Sequence, residues 1–424
     1  MDAAPHYLVN CTGCDWQAVD DGVVLDCPYC REGSLLTTRY SSSSFAVSPQ
    51  EAGIFRYRSW LPVFRDVPGS SGPVVYRSAG LGRELGLDEL WIAFSGFWPE
   101  RGCHMESGTF KELEAYAVLG RTPRDAGVMV IASAGNTGAA FASVAAGHGV
   151  ACLVVVPQYA LPMVERVTRW SDEVRVLALE DADYNDTIDF SRKIVATGGG
   201  FFPEGGVRNV ARRDGLAVVA LSAFEAMGVL PEAYVQAVGS GTGAIATYEA
   251  SSRIAASGLT PGQSVPRMLL CQNAQFAPLA RAWNGGARPV DQPRMPQGLY
   301  APELANAAPP FSVRGGVRDV LASCSGEIAT VTREAAVSSR ALFERLEGID
   351  IEPAAAVAVA GMREAVSKGQ LSRDTRILLN VTGGGRIRAA QSAAPETPGR
   401  NPLLVNLNTS PIDVAARLLK SFHR

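Results

Sequence analysis

The chain has no excess of positive charge, no uninterrupted apolar segment of membrane length and no leader-like start, and each absence removes a class of function. Its 424 residues hold 39 basic against 42 acidic side chains, a formal net charge of −3. Without a global positive field, nucleic acid is not expected as the main partner. The most apolar stretch, Ala139 to Val156, is interrupted by Gly147, His148 and Gly149, which reads as a helix, a turn and a buried strand, not as a membrane span. Met1-Asp2-Ala3-Ala4-Pro5 has neither the basic start nor the apolar core of a secretory signal, so a cytoplasmic protein is expected. No repeat of solenoid period is visible. The length suffices for two or three domains with large cores.

Half of the eight cysteines fall in two knuckles, Cys11-Thr12-Gly13-Cys14 and Cys27-Pro28-Tyr29-Cys30. Strand-like runs, Tyr7 to Asn10 and Val23 to Asp26, lead into them. Each knuckle presents two thiolates from a tight turn, and two knuckles complete the closed tetrahedral S4 shell of structural zinc. Matched pairs argue against a redox dithiol, and the balanced charge argues against a nucleic-acid-binding ribbon. Residues 1–35 are therefore expected to form a zinc-ribbon-like clasp on a larger body. Cys103, Cys152, Cys271 and Cys324 are scattered and read as packing residues, with Cys103 near enough to Lys111 in sequence to line a pocket.

Beyond a polar connector, Leu36 to Pro49, strands and helices alternate. Glu89 to Phe94, Val128 to Ser133, Cys152 to Pro157 and Val174 to Leu179 are predicted strands; Thr137 to Gly147, Leu161 to Trp170 and Tyr184 to Thr197 are predicted helices. Such alternation implies parallel sheets with right-handed crossovers, whose ligands gather at the carboxyl ends of strands. A Pro/Ser/Gly-rich linker, Ala393 to Pro402, precedes an amphipathic helix, Pro411 to Phe422, expected to serve packing or dimerisation.

Four motifs carry chemistry. Lys111 stands between the turn Glu106-Ser107-Gly108-Thr109-Phe110 and a helical run, Glu112 to Leu119, where the helix dipole disfavours an ammonium and suits the lysine to Schiff-base work. Ala132-Ser133-Ala134-Gly135-Asn136-Thr137-Gly138 is a tight polar turn able to hold a small amino acid's carboxylate. Ala237-Val238-Gly239-Ser240-Gly241-Thr242-Gly243 lies between a strand, Tyr234 to Val238, and a helix, Ala244 to Ala256, as a phosphate cradle. It lacks the Lys-Ser/Thr ending of a P-loop and lies too late in the chain to open a dinucleotide fold. Leu378-Leu379-Asn380-Val381-Thr382-Gly383-Gly384-Gly385 ends a strand in a hydroxyl that can meet a ring nitrogen without forcing a proton onto it. Taken singly, each has a plain alternative: a surface lysine, or a glycine turn that serves helix packing.

In this order, across residues 50 to 390, the motifs resemble the fold-type II pyridoxal-phosphate enzymes and, within them, the threonine synthase branch. The resemblance implies an α/β, tryptophan synthase β-like body of two doubly wound, parallel or mixed sheet domains behind the ribbon. Residues 36–100 would be lead-in and part of the large domain, 101–215 the lysine and smaller substrate-loop domain, 216–392 the large cofactor domain, and 393–424 linker and terminal helix. It implies pyridoxal 5′-phosphate held by Lys111 as Schiff base, by Asn136 at the 3-hydroxyl, by Gly239, Ser240, Gly241, Thr242 and Gly243 at the phosphate, and by Thr382 at the pyridine nitrogen. Ser133, Asn136 and Thr137 would hold the substrate carboxylate, and Cys11, Cys14, Cys27 and Cys30 the zinc.

Threonine synthases commonly follow the lysine with Asp-Arg-Gly, whereas here Glu112-Leu113-Glu114 follows. That departure, with Ile54-Phe55-Arg56-Tyr57, Trp60-Leu61-Pro62-Val63 and the run Gln272 to Leu279, is similar to cysteate synthases. The implied activity is β-replacement on O-phospho-L-serine with sulfite, giving L-cysteate and phosphate. Threonine synthesis from O-phosphohomoserine and a different nucleophile stay open. Outside the family, so do a ribbon-bearing interaction protein with a degenerate body and a nucleotide bound at Gly239. The expected partners are a small-molecule amino-acid substrate, an anionic nucleophile and further copies of the chain, with neither nucleic acid nor membrane. Arg56, Arg58, Arg77, Arg281 and Arg386 are candidates for the leaving phosphate, because guanidinium forks suit such anions. Gln272, Asn273 and His104 are further candidates for the site.

Overall fold

A computed structural model describes residues 6–166, 171–285, 295–392 and 402–422. Two sheets organise the body. The larger has six strands in the order Glu327–Val331, Arg267–Asn273, Ala233–Ala237, Ile377–Val381, Leu90–Phe94 and Val74–Arg77. Its neighbours run parallel except at the last pair, which is antiparallel. The smaller sheet is parallel throughout, ordered Phe201–Pro203, Val128–Ala132, Cys152–Pro157, Val174–Glu180 and Leu403–Asn406. The central strands are buried along their whole length, which is why they read as continuous apolar runs without alternation.

Helices cover the sheets as the alternation predicts: Asn136–His148 is a run of mostly small residues buried continuously from Gly138 to Ala145, while Tyr184–Ala196 and Pro411–Phe422 each bury one face. Tyr184–Ala196 also starts with a capping box, in which Asp183 accepts from the Asn185 and Asp186 amides and Asp186 accepts in return. The terminal helix buries Val414, Ala415 and Leu418 with Phe190, Ile194 and the smaller sheet. Among the described residues, no helix is long and apolar enough to cross a membrane.

Several elements differ from expectation. Val23 to Asp26 is not a strand, because the Asp21 carboxylate accepts from the Val23 and Val24 amides and folds the segment back. Leu36–Tyr40, expected to open a connector, is instead a full strand of the ribbon, paired antiparallel to Tyr7–Cys11. The helix expected from Leu161 to Trp170 covers Leu161–Glu165, and 167–170 lie outside the described residues, as do 393–401 of the expected linker. Helix Val210–Met227 runs through residue 215, where a boundary was expected. Gly215 does not break it: a Cβ there would stand 2.6 Å from the Leu113 carbonyl oxygen, so this glycine lets two helices meet.

The ribbon is fastened to the body through buried charge. Arg121, 1 % exposed, donates to both oxygens of Asp20 at 2.7 Å, and the Tyr7 hydroxyl also reaches Asp20, at 2.5 Å. On the other side Asp214 accepts from Thr38, Tyr40 and Arg253, and Arg213 donates to the Leu36 carbonyl. At the base of the ribbon the four Sγ atoms of Cys11, Cys14, Cys27 and Cys30 lie within 4.8 Å of one another.

Candidate active site

One pocket between the two sheets is lined by Thr109 to Lys111, Ser133 to Thr137, the whole run Gly239 to Gly243, and Thr382. Lys111, Ser133, Asn136, Thr137, Gly239 to Gly243 and Thr382 therefore line one pocket. Backbone pairing sets their spacing. The Phe110 amide donates to the Thr382 carbonyl at 3.0 Å, the Gly384 amide to the Gly108 carbonyl at 3.0 Å, and Thr109 bridges Gly383. The lysine turn is thus pinned to the strand end that carries Thr382.

Lys111 is the first residue of helix Lys111–Arg121. Of the chain's four lysines, Lys193, Lys368 and Lys420 are exposed. Burial, above all, lowers the Lys111 pKa; Glu114 opposes that shift and Arg212 reinforces it. The helix N-terminus acts in the same direction as burial. Nζ lies 3.3 Å from Glu114 Oε2 and 4.8 Å from the centre of the Phe110 ring. Glu114, 0 % exposed, also approaches Arg212 at 3.3 Å and accepts from the Thr137 hydroxyl at 3.2 Å. Arg212 grips Glu204 with two bonds of 2.8 and 2.6 Å. Burial works against the Arg212 charge, but Glu114 and Glu204 more than offset it and raise its pKa.

The Ser133 oxygen accepts from the amides of Gly135 and Gly138 at 3.0 and 2.7 Å. It orders the turn that starts helix Asn136–His148. Gly135 there has φ +135°, and a Cβ would meet Met163 at 2.3 Å. The Asn136 amide and the Thr382 hydroxyl have no protein partner among the described residues. In the glycine run, Gly241 takes φ +79° to start helix Thr242–Ala256; as N-cap it offers no side chain, and the Ser240 hydroxyl accepts from the Thr242 amide at 3.4 Å. Thr242, Gly243 and Ala244 are nevertheless buried. Enclosed amides at a helix start whose N-cap is glycine are an anion site. An activated lysine, a phosphate cradle and two unpartnered polar groups in one pocket fit a phosphorylated pyridine aldehyde.

Among the described residues that line the pocket, Arg212 is the one arginine. Arg56 pairs with Glu225, Arg58 with Asp66, Arg77 with Glu89, and Arg386 with Glu352 at 2.5 Å; Arg281 is exposed. Gln272 and Asn273 bond the backbone of the Val238 and Ala301 turns. His104 is exposed. Cys103 is not among the lining residues; its thiol donates to the Gly96 carbonyl at 3.1 Å, and burial pushes its pKa up to about 11.

Residues that the sequence reading passed over also line the pocket: Tyr184, Arg212, Glu303, Asn306 and Glu352. Burial, with Glu352 nearby, raises Glu303 to about 7, although the Ala354 amide bonds it at 3.0 Å. The available signal was charge in an apolar setting, since Arg212-Arg213-Asp214 interrupts a helix otherwise rich in alanine, valine and leucine.

The profile of a family described as pyridoxal-phosphate dependent enzyme matches residues 75–383. A cysteate synthase of Methanoculleus marisnigri is 45% identical over 394 residues, covering 91% of this chain and 90% of that protein. One of Methanosphaerula palustris is 41% identical over 414 residues, covering 93% and 95%. Among solved structures, threonine synthase from Escherichia coli superimposes with a TM-score of 0.59 at 16% identity, covering 80% of this chain and 79% of that one. Maize serine racemase gives 0.56 at 16% identity, covering 74% and 88%. At such identities the two solved structures speak for the fold alone.

Proposed function

The chain belongs to the fold-type II pyridoxal-phosphate-dependent enzymes and is similar to the cysteate synthases among them, and from that premise we propose that it carries out β-replacement on O-phospho-L-serine. Sulfite enters and phosphate leaves: the bond from Cβ to the phosphate oxygen breaks, a bond from Cβ to sulfur forms, and the α-proton removed at the start is returned at the end. Bound in the pocket, pyridoxal phosphate supplies the electron sink that loosens the α-proton and the β-substituent.

The observation that carries this reading is the convergence of Lys111, the enclosed glycine-capped helix start at Thr242, and Thr382 on one pocket. Lys111 would carry the covalent link to the cofactor, and its Nζ would take and return the α-proton. Gly239 to Gly243 would hold the cofactor phosphate with backbone amides. Asn136 would serve the 3-hydroxyl, and the Thr382 hydroxyl would serve the ring nitrogen without a charge to protonate it. Ser133, Asn136 and Thr137, at the start of their helix, hold the substrate carboxylate in the favourable field of the dipole.

Cys11, Cys14, Cys27 and Cys30 would hold one structural zinc, since four thiolates within 4.8 Å of one another match a closed S4 shell and leave no position for substrate. The test of the activity is phosphate release from O-phosphoserine and from O-phosphohomoserine, each with and without sulfite. Cysteate from O-phosphoserine with sulfite is expected. Efficient threonine formation from O-phosphohomoserine would overturn the substrate.

A further inference from the structure

Glu114 touches both halves of the site, yet the reaction above assigns it no role. It lies three residues after Lys111 on one helix, so the two side chains share a face. Its Oε2 stands 3.3 Å from Lys111 Nζ, and its Oε1 accepts from the Thr137 hydroxyl at 3.2 Å. Thr137 belongs to the turn proposed to hold the substrate carboxylate. The same Oε1 lies 3.3 Å from Arg212. The carboxylate is fully enclosed and thus worth more electrostatically than a surface charge.

Resting on Lys111 as the cofactor lysine, we propose that Glu114 is its positioning residue, fixing where the freed amine stands relative to the substrate turn and how readily that nitrogen carries a proton. The neighbouring charges decide why Glu114 has this part. Glu204 is committed to Arg212 through both oxygens. Glu352 is paired with Arg386, and Glu303 bonds the Ala354 amide. Tyr184 lines the pocket as a phenol whose pKa burial raises. Glu114 is therefore the carboxylate in hydrogen-bonding reach of Nζ, while burial and Arg212 disfavour charge there. These opposed influences leave the lysine able to hold a proton at one stage and release it at another. The Thr137 bond ties that balance to the substrate turn.

Glu114→Gln keeps an acceptor for Thr137 and removes the charge; Glu114→Asp keeps the charge and withdraws it by one methylene. The readout is the pH midpoint of the visible band of the holoenzyme, which follows the proton on the Lys111 nitrogen. Loss of the negative charge should lower that midpoint by about one pH unit in Glu114→Gln, a tenfold change in proton affinity, and by less in Glu114→Asp. The kcat should fall while KM for the amino acid changes little. An unmoved midpoint in a coloured, folded Glu114→Gln protein overturns the role. If that variant does not fold, Glu114→Asp decides, a midpoint equal to the wild type overturning it and a lowered one supporting it. A colourless wild-type protein would instead overturn the functional reading beneath it.

Discussion

At the scale of single residues, two buried carboxylates only two positions apart on the lysine helix have different surroundings. Glu114 has cationic neighbours, whereas Glu112 has burial and the amide of Ser107. Burial outweighs that amide and raises Glu112 to about 7, against an ordinary value of 4.5. Between those two pH values the folded state keeps a proton that the unfolded state has released, so stability falls as pH rises through this window and the full loss is reached above 7. Urea titrations of the wild type at pH 5 and 7.5 should differ by on the order of 2 kcal/mol from this group. Glu112→Gln, whose amide oxygen can still accept from Ser107, should narrow that difference; an unchanged difference would show that Glu112 titrates normally. Lys111→Ala should lose the colour of the bound cofactor. Lys111→Arg should lose it too, because guanidinium stays protonated. Cofactor still fixed by borohydride to another lysine in Lys111→Ala would contradict the assignment.

The elements tell how the pocket is built and how much of it could be read in advance. Gly241 needs φ +79°, and a Cβ there would lie 2.4 Å from Val317. Gly241→Ala should therefore strain the helix start by about 1 kcal/mol and swing the amides off the phosphate. At least a tenfold weaker affinity for pyridoxal phosphate is expected, measured by titrating cofactor into the apo protein. Adding Val317→Ala should recover part of it, and an unchanged affinity would remove this turn from the cradle. The strands Cys152–Pro157 and Ile377–Val381 were legible because full burial in a parallel sheet leaves nothing but apolar side chains. The lysine turn, the Ser133 turn and the glycine run were legible for a related reason, since tight backbone forces a short list of residues. Leu36–Tyr40 and Leu403–Asn406 were not. The first has Thr37, Thr38 and Arg39 amid its apolar positions, and the second is a four-residue edge; for both, the partner strand supplies the order that their own sequence lacks. Arg212 was missed because its value lies in a pairing with Glu114, and nothing local reports a partner roughly 100 residues away in the chain; Glu204 was missed with it, because it acts through Arg212.

For the whole molecule, the ribbon matters through what it clamps. Arg121 closes the lysine helix, Asp20 and Tyr7 belong to the ribbon, and their buried bonds join the two. The cysteine cluster orders the opposite end of the same small sheet, where Cys11 ends the strand that begins at Tyr7. Metal loss and loss of Asp20 should therefore act on one structure. Asp20→Ala leaves a buried guanidinium without its carboxylate, a change of about 3–5 kcal/mol in such settings. Cys27→Ser would open the proposed S4 shell, whose metal would contribute directly to folding. Each variant should lower the thermal midpoint by on the order of 5 °C or more. The pair together should lower it by clearly less than the sum, because once the ribbon has come away the second change has little left to break. Activity per folded molecule should fall less than stability, as the cluster has no open position toward the pocket. Additive midpoint shifts would mean that the cysteines and the Asp20–Arg121 pair stabilise separate parts of the chain. Zinc absent from protein made with zinc available would show that the cysteines hold the ribbon some other way.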